Sequence, residues 1–529
     1  MIKGLKILLI SSFKNESLRV GQYLSPSFGL YRIASYLNKR FDIKIKIFDP
    51  DLEGIDNLNE LIRNNKFDII GFSLLQPTLK NDIPLIYSVN KISPESLLIA
   101  GGQGAGFNSE FLLNNTPLQI ITKGFGEFSL GELIKNFDKQ GTLVQRFGGI
   151  NGLVIKNSSE IYETKPVSFY SPEFFKEISL DFDFSIIPYE RYWNLMKQVY
   201  TEEHLKIMKN ENMLCTIRLV TSSHCPMKCK FCSSTNFLDD ATACKQKVIL
   251  LEPEDIMIMM KNALIFHKEV EAFYFCDDDF LQNKQRTYRL CELIKKDKDF
   301  EGLTFYCLSR PDRIDSELLG KMREVGFKFI IYGVDSFSNK VLEDMNKHMI
   351  SLDKKTIIKE AVIKTLNADI VPLMNIILFY PTSSISDILE TIEDSIELID
   401  KDARLTVYTY VETYSGADIL NDGFEYVYET FNYKDKEFKL PKTILPSHKD
   451  VRVLAENAIE LRNFLLPRIL TKYNWEGVVP HPLYGLILFL AVYKLLNLDT
   501  TKIEELIEKI MRLELVNSNK LNLITTQAK

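Results

Sequence analysis

Residues 221–234 read Thr-Ser-Ser-His-Cys-Pro-Met-Lys-Cys-Lys-Phe-Cys-Ser-Ser. Cys225, Cys229 and Cys232 thus fall in a CxxxCxxC spacing on one short stretch. Soft thiolates suit zinc and iron–sulfur clusters. Three of them with no fourth close by can hold three corners of a cubane cluster and leave one iron open to a small molecule. The same three residues also admit a three-ligand zinc site or plain reduced thiols. A short apolar run, residues 214–221, leads straight into this loop. It is the first of six such runs, the others at 272–275, 304–308, 327–333, 371–379 and 405–411. Helical patterns at 254–267, 285–295, 315–325, 357–365 and 385–399 separate them. Six β/α units in about 200 residues predict a partial barrel rather than the full eightfold one, with chemistry just past the carboxyl ends of its strands.

The region before this barrel alternates in the same way. Strand patterns at 6–11, 43–48, 68–73, 97–100 and 119–122 and a helical one at 29–39 predict a parallel sheet with covering helices over residues 1–150. Ligands on such sheets bind at the carboxyl ends of the strands. Residues 151–210 read as a connector with a small hairpin at 152–155 and 161–164. Residues 211–415 form the barrel. Residues 416–529 read as mostly helical, notably at 451–470 and 501–513.

The 529 residues allow roughly three domains. A hydrophobic share of 45% and a charged share of 26% are those of a soluble globular protein. The net charge of −6 argues against nucleic acid or an anionic membrane as the main partner. All eight cysteines lie between Cys215 and Cys307, so neither flanking region has thiolates for a second cluster. Cysteines this sparse suit a reducing compartment better than a disulfide scaffold. The apolar N-terminal run is too short for a leader peptide, and residues 483–496 are too short for a bilayer span. The expectation is a cytoplasmic protein. His224 reads as local support for the loop, and His204, His267, His348, His448 and His481 show no metal spacing. Lys228 and Lys230 read as solvated charges or as docking points for an electron donor. Cys276 and Cys307 read as core residues on apolar strands.

With Phe231 before its last cysteine, the loop resembles that of the radical S-adenosylmethionine (SAM) superfamily. The segment Phe275-Cys276-Asp277-Asp278-Asp279-Phe280 is similar to the DDxF segment of cobalamin-associated members. Arg310-Pro311-Asp312, Gly333-Val334-Asp335-Ser336 and Lys347 resemble later family segments, although the family usually has Glu at the place of Asp335. Residues 379–384, Phe-Tyr-Pro-Thr-Ser-Ser, depart from the usual GxPGET. The N-terminal region resembles Rossmann-type cobalamin-binding domains through Ser73-Leu74-Leu75, Gly101-Gly102 and the turn Gly124-Phe125-Gly126-Glu127. The DxHxxG motif after the first strand is replaced by Ser11-Ser12-Phe13-Lys14-Asn15, which offers no histidine to cobalt.

The resemblance implies an α/β protein with a Rossmann-like cobalamin-binding domain, a partial (β/α)6 TIM barrel and a C-terminal helical region. It implies a 4Fe–4S cluster on Cys225, Cys229 and Cys232, with SAM on the open iron. Phe231, Asp277, Asp278, Arg310 and Asp335 would face SAM. Ser12, Ser73, Leu75, Gly101, Gly102, Gln103, Gly124 and Glu127 would face cobalamin. The implied activity is methyl transfer to an unactivated carbon of a small-molecule or natural-product substrate, through a deoxyadenosyl radical and methylcobalamin. Electrons would come from a donor such as flavodoxin or ferredoxin. Two other readings stay open: a radical cyclisation, rearrangement or oxidation with cobalamin auxiliary or absent, and a non-catalytic corrinoid or iron–sulfur binding module.

Overall fold

The computed structural model describes residues 4–15, 25–158, 160–199, 205, 213–349, 353–434, 436–473, 475 and 481–512. Most of residues 200–210 of the expected connector, His204 among them, residues 211–212 at the start of the expected barrel, and Leu513 at the end of an expected helix lie outside these.

The first sheet holds β1 (Leu5–Ile10), β2 (Ile43–Phe48), β3 (Ile69–Ser73), β4 (Leu97–Gly101), β5 (Ile120–Thr122), β6 (Leu153–Asn157) and β7 (Glu160–Glu163). Their spatial order is β2-β1-β3-β4-β5-β6-β7. β1 to β5 are parallel, and β6 and β7 add an antiparallel edge. The central strands read as unbroken apolar runs because both faces are covered. Leu5, Ile7 and Leu9 face one helical layer, and Leu8 and Ile10 face the other. β2 alternates instead, with Lys44 and Lys46 exposed at the sheet edge. The order 2-1-3-4-5 reverses direction between β1 and β3, and that reversal opens a crevice at their carboxyl ends.

The second sheet begins with six parallel strands side by side in chain order. They are β8 (Thr216–Leu219), β9 (Ala272–Phe275), β10 (Thr304–Ser309), β11 (Phe327–Asp335), β12 (Val371–Phe379) and β13 (Arg404–Glu412). Each of the first five is followed by helix, which gives the expected partial barrel. Phe273, Phe275, Phe280, Phe305 and Phe327 are all buried, with Phe275 and Phe280 stacked 4.4 Å apart between ring centres.

The region after β13 departs from expectation. It is helical from Lys449 onward, in Lys449–Lys472, His481–Leu495 and residues 501–512. It opens, however, with a hairpin of β14 (Tyr426–Tyr433) and β15 (Lys436–Ile444). β15 pairs with β13 through Val411 and Glu412, so the hairpin continues the barrel sheet. Its far end packs on helices of the first sheet. The Phe438 ring lies 5.0 Å from Phe431 and 6.2 Å from Phe111, and Tyr433 lies 5.2 Å from Tyr87. The alternation was hidden by charge. Of the nine residues of β15 only Phe438, Leu440 and Ile444 are buried, and the turn has Lys434 at φ +47° where Asn-Gly would have signalled a hairpin.

Candidate functional site: the cysteine loop and the cavity beside it

The cysteine loop is fixed at its root by a buried network. The Thr221 and Ser222 amides donate to Asp277 Oδ1 at 2.5 and 3.0 Å, and the Thr221 hydroxyl donates to Asp277 Oδ2 at 2.5 Å. Arg286, from helix Lys284–Lys296, donates to the Thr221 carbonyl at 3.1 Å and lies 3.7 Å from Asp277 Oδ2. Farther along, Ser223 and Ile249 exchange hydrogen bonds of 2.9 Å, and His224 Nδ1 lies 2.9 Å from the Ser223 hydroxyl. Burial lowers the pKa of His224. Its place is that of a local support.

The rest of the loop is tied down residue by residue. The Thr235 hydroxyl donates to the carbonyls of Cys225 and Met227, both at 2.6 Å. Lys228 donates to Asn236 at 2.8 Å and Asp239 at 2.7 Å. Lys230 pairs with Asp422 at 3.0 Å. Its amide reaches the Met345 carbonyl, and its own carbonyl accepts from Ile419. Neither lysine is a merely solvated charge. Both brace the loop.

Burial pushes the Cys225 thiol up to about 12 and the Cys232 thiol to about 11. It raises Cys229 as well, with Lys347 and Arg310 pulling the other way. Thiolates in this setting need a cationic partner, which a metal centre supplies. Among the described residues no three His, Cys, Asp or Glu side chains stand close enough for a single metal ion. A cubane spreads its thiolates farther apart than one ion does, so three half-buried thiols on one braced loop fit the cluster.

The residues expected around SAM divide into two groups. Phe231 is half-buried against the core, and Asp278 is exposed at the loop, accepting from the Ser234 hydroxyl. Asp335 is buried in an ion pair with Lys347. It has φ +66° at a bulge where β11 shifts register against β12, and strained backbone of this kind collects at functional sites. Arg310 sits close enough to Cys229 to influence it, and its fork is held by Asp312 at 3.0 and 3.2 Å. Asp277 is a correction. It is 1% exposed, and both oxygens are committed to Thr221, Ser222 and Arg286, so it anchors the loop rather than facing the opening. Residues 379–384 close against the barrel: Tyr380 is buried, Thr382 donates to Asp344 at 2.6 Å, and Ser384 caps helix Ile385–Asp400.

A cavity of about 230 Å³ lies at the β1/β3 reversal. Ser73, Gly101, Gly102, Gly124 and Glu127 line it, together with Leu9, Ile99, Leu130, Thr122, Arg32 and Phe237. A Cβ on Gly101 would come 2.6 Å from Thr122 Oγ1, and Gly102 has φ +90°, where only glycine is at ease. Leu75 and Gln103 line a second hollow of about 160 Å³ with Gln76, Ser233, Tyr414 and Ser415. Ser12 lines neither; it sits on the loop after β1, whose Phe13 amide donates to buried Asp82 at 2.8 Å. Arg32 was not foreseen. Arg32 reads as one more polar residue of a helix, and only tertiary folding brings it to the cavity.

Residues 219–395 match the family described as the Radical SAM superfamily. The chain carries a radical SAM domain and is an enzyme of that class. Over 414 residues it is 23% identical to an uncharacterized methyltransferase of Pyrococcus horikoshii, spanning 77% of this chain and 81% of that one. It is 21% identical over 296 residues to the anaerobic magnesium-protoporphyrin IX monomethyl ester cyclase of Rubrivivax gelatinosus, spanning 55% of this chain and 48% of the relative. Among solved structures, the cobalamin-dependent S-adenosylmethionine radical enzyme OxsB superposes with a TM-score of 0.67 at 17% identity, over 96% of this chain and 75% of that one. The radical S-adenosylmethionine methyltransferase TsrM from Kitasatospora setae superposes with a TM-score of 0.64 at 12% identity, over 96% and 99%. At these identities the superpositions establish a shared fold. No helix among the described residues is long and apolar enough to cross a membrane.

Proposed function

We propose that the protein is a cobalamin-dependent radical SAM methyltransferase acting on an unactivated carbon of a small molecule. One observation carries this reading. The hollow that Leu75, Gln76 and Gln103 share with Ser233 and Tyr414 lies between the N-terminal sheet and the cysteine loop, so groups held on either side face the same small volume. The solved structures with this fold support it, since OxsB is described with aqua-cobalamin and SAM bound and TsrM with cobalamin and a 4Fe–4S cluster. When bound, the cluster with SAM supplies one-electron chemistry, and cobalamin supplies a transferable methyl group.

The chain's own residues do the positioning. Cys225, Cys229 and Cys232 hold the cluster on a loop braced by Thr235, Lys228 and Lys230. Asp278, Arg310 and Asp335 lie around it and orient SAM, with Phe231 beside its ring. Gly101 and Gly102 let a large cofactor approach the sheet. Tyr414, whose hydroxyl donates to Glu412 at 3.0 Å, closes one side of the shared hollow. A flavodoxin- or ferredoxin-type donor supplies electrons.

Reconstituted protein given SAM, cobalamin, a reductant and a panel of small-molecule substrates is expected to release both deoxyadenosine and S-adenosylhomocysteine. Deoxyadenosine alone would overturn methylation in favour of radical cyclisation or rearrangement, the reading to which the cyclase relative points. A second expectation concerns Gly101→Val. Its branched side chain enters the cavity, and overpacking costs about 1–3 kcal/mol. Cobalamin bound per chain, read from the visible spectrum, should weaken by roughly tenfold or more, while iron per chain stays unchanged.

A further inference from the structure

The last barrel strand carries a group that the reading above leaves unused. Residues 404–414 read Arg-Leu-Thr-Val-Tyr-Thr-Tyr-Val-Glu-Thr-Tyr. They bring three tyrosines and one carboxylate to the carboxyl end of a barrel strand, where such folds hold their ligands. Tyr410 is packed, with its ring 6.1 Å from that of Phe379. Tyr408 and Tyr414 stay 44% and 36% exposed. Yet Tyr414 lines the hollow beside the cysteine loop, and Tyr408 stands in register with buried Ile377 of β12. Open tyrosine rings beside a hollow are surface that a ligand can cover.

Glu412 joins the two rings. Its Oε2 accepts from the Tyr414 hydroxyl at 3.0 Å. Burial raises the pKa of both tyrosines, and the Glu412 charge raises them further. The Asp335 charge also acts on Tyr408, so this ring stands next to a residue assigned to SAM. The other charges nearby are matched. Asp335 pairs with Lys347, Asp312 with Arg310 and Asp279 with Arg313. Arg218 of β8 lies 5.8 Å over the ring of Tyr274. No lysine or arginine among the described residues pairs with Glu412. An exposed carboxylate alone is a solvated charge. This one is oriented by a tyrosine hydroxyl at the rim of the hollow, with two open rings beside it. An anionic group would be repelled there. An ammonium group gains a charge-assisted hydrogen bond and the faces of the rings.

We propose that Glu412, with the rings of Tyr408 and Tyr414 beside it, holds a protonated amine of the substrate. This rests on the reading of the chain as a cobalamin-dependent radical SAM enzyme with a small-molecule substrate, and it names the class of that substrate. The three residues bind and orient the amine and take no part in the reaction itself.

The test uses the full chain loaded with cluster, hydroxocobalamin and SAM, without reductant. Dissociation constants for phenethylamine, 2-phenylethanol and 3-phenylpropionate are measured by ligand-observed NMR. The probes share a phenyl ring and differ in the head group, which is an ammonium, a hydroxyl or a carboxylate. Phenethylamine should bind about tenfold more tightly than either of the others, the worth of a hydrogen bond to a charged group. Glu412→Gln should erase that preference and leave the alcohol unchanged. Tyr408→Leu should weaken the amine by about two- to fivefold through the lost cation–π contact, whereas Tyr408→Phe keeps the ring and the affinity. Iron and corrinoid per chain, unchanged in each variant, check folding. A loaded wild-type enzyme that binds phenethylamine no better than 3-phenylpropionate would overturn the amine site, whatever the variants do. So would a Glu412→Gln protein that keeps the preference, or one that loses affinity for SAM, since Glu412 would then belong to SAM. A wild-type protein that takes up no corrinoid or no iron would overturn the underlying reading, and the amine site with it.

Discussion

Cys229→Ala is expected to reduce deoxyadenosine release to the level of the protein-free control and to remove cluster iron after anaerobic reconstitution. Cys225→Ala and Cys232→Ala should do the same. The reason lies in the loop's electrostatics as much as in the ligand count. All three thiols are raised by burial, so each thiolate exists there only by virtue of the cations it binds. Losing one leaves two thiolates that a cubane cannot share. Cys244 provides the control. It is exposed and lies outside the loop, so Cys244→Ala should keep both iron and activity. Iron and sulfide analysis with product chromatography decides the matter, and full activity in any of the three variants would dismiss the cluster assignment.

Asp277→Ala should destabilise the barrel by about 3–5 kcal/mol, the usual cost of removing one partner from a buried charged network. Asp277 accepts from two amides and one hydroxyl and lies beside Arg286, which is 7% exposed. Its loss strands a buried guanidinium and two buried amides at the root of the cysteine loop. Asp277→Asn keeps one acceptor oxygen and should cost less. Urea unfolding, followed by fluorescence, measures the difference. A variant with wild-type stability but weakened SAM affinity would restore Asp277 to the SAM pocket, where its place in the sequence first put it.

The contrast between Asp277 and Asp278 shows how far the sequence carries. Strand and helix patterns were legible because period and burial agree. Residues 43–48, 272–275 and 371–379 are strands with the bounds their apolar patterns suggest. The triplet was legible because chemistry and spacing coincide within eight positions. Which of three successive aspartates turn inward was not legible: Asp277 and Asp279 are buried and Asp278 is exposed. That depends on the twist at the end of β9 and on Arg286, nine residues farther on. Arg32 was invisible for a similar reason, since nothing local distinguishes a helix arginine that meets solvent from one that meets Glu127 across 95 positions. The hairpin at 426–444 was missed because its charged residues face water on both sides, and only Phe438, Leu440 and Ile444 of β15 report the side that packs.

That hairpin makes the spacing between the two sheets a matter of ribbon rather than tether. β13 runs from the barrel into hydrogen bonds with β15, and β15 ends in aromatic contact with the helices of the first sheet. A flexible linker would let the two halves breathe and would blur the gap between them. A pleated ribbon anchored at both ends works as a ruler. It fixes how thick a molecule can be and still touch both walls of the hollow at once.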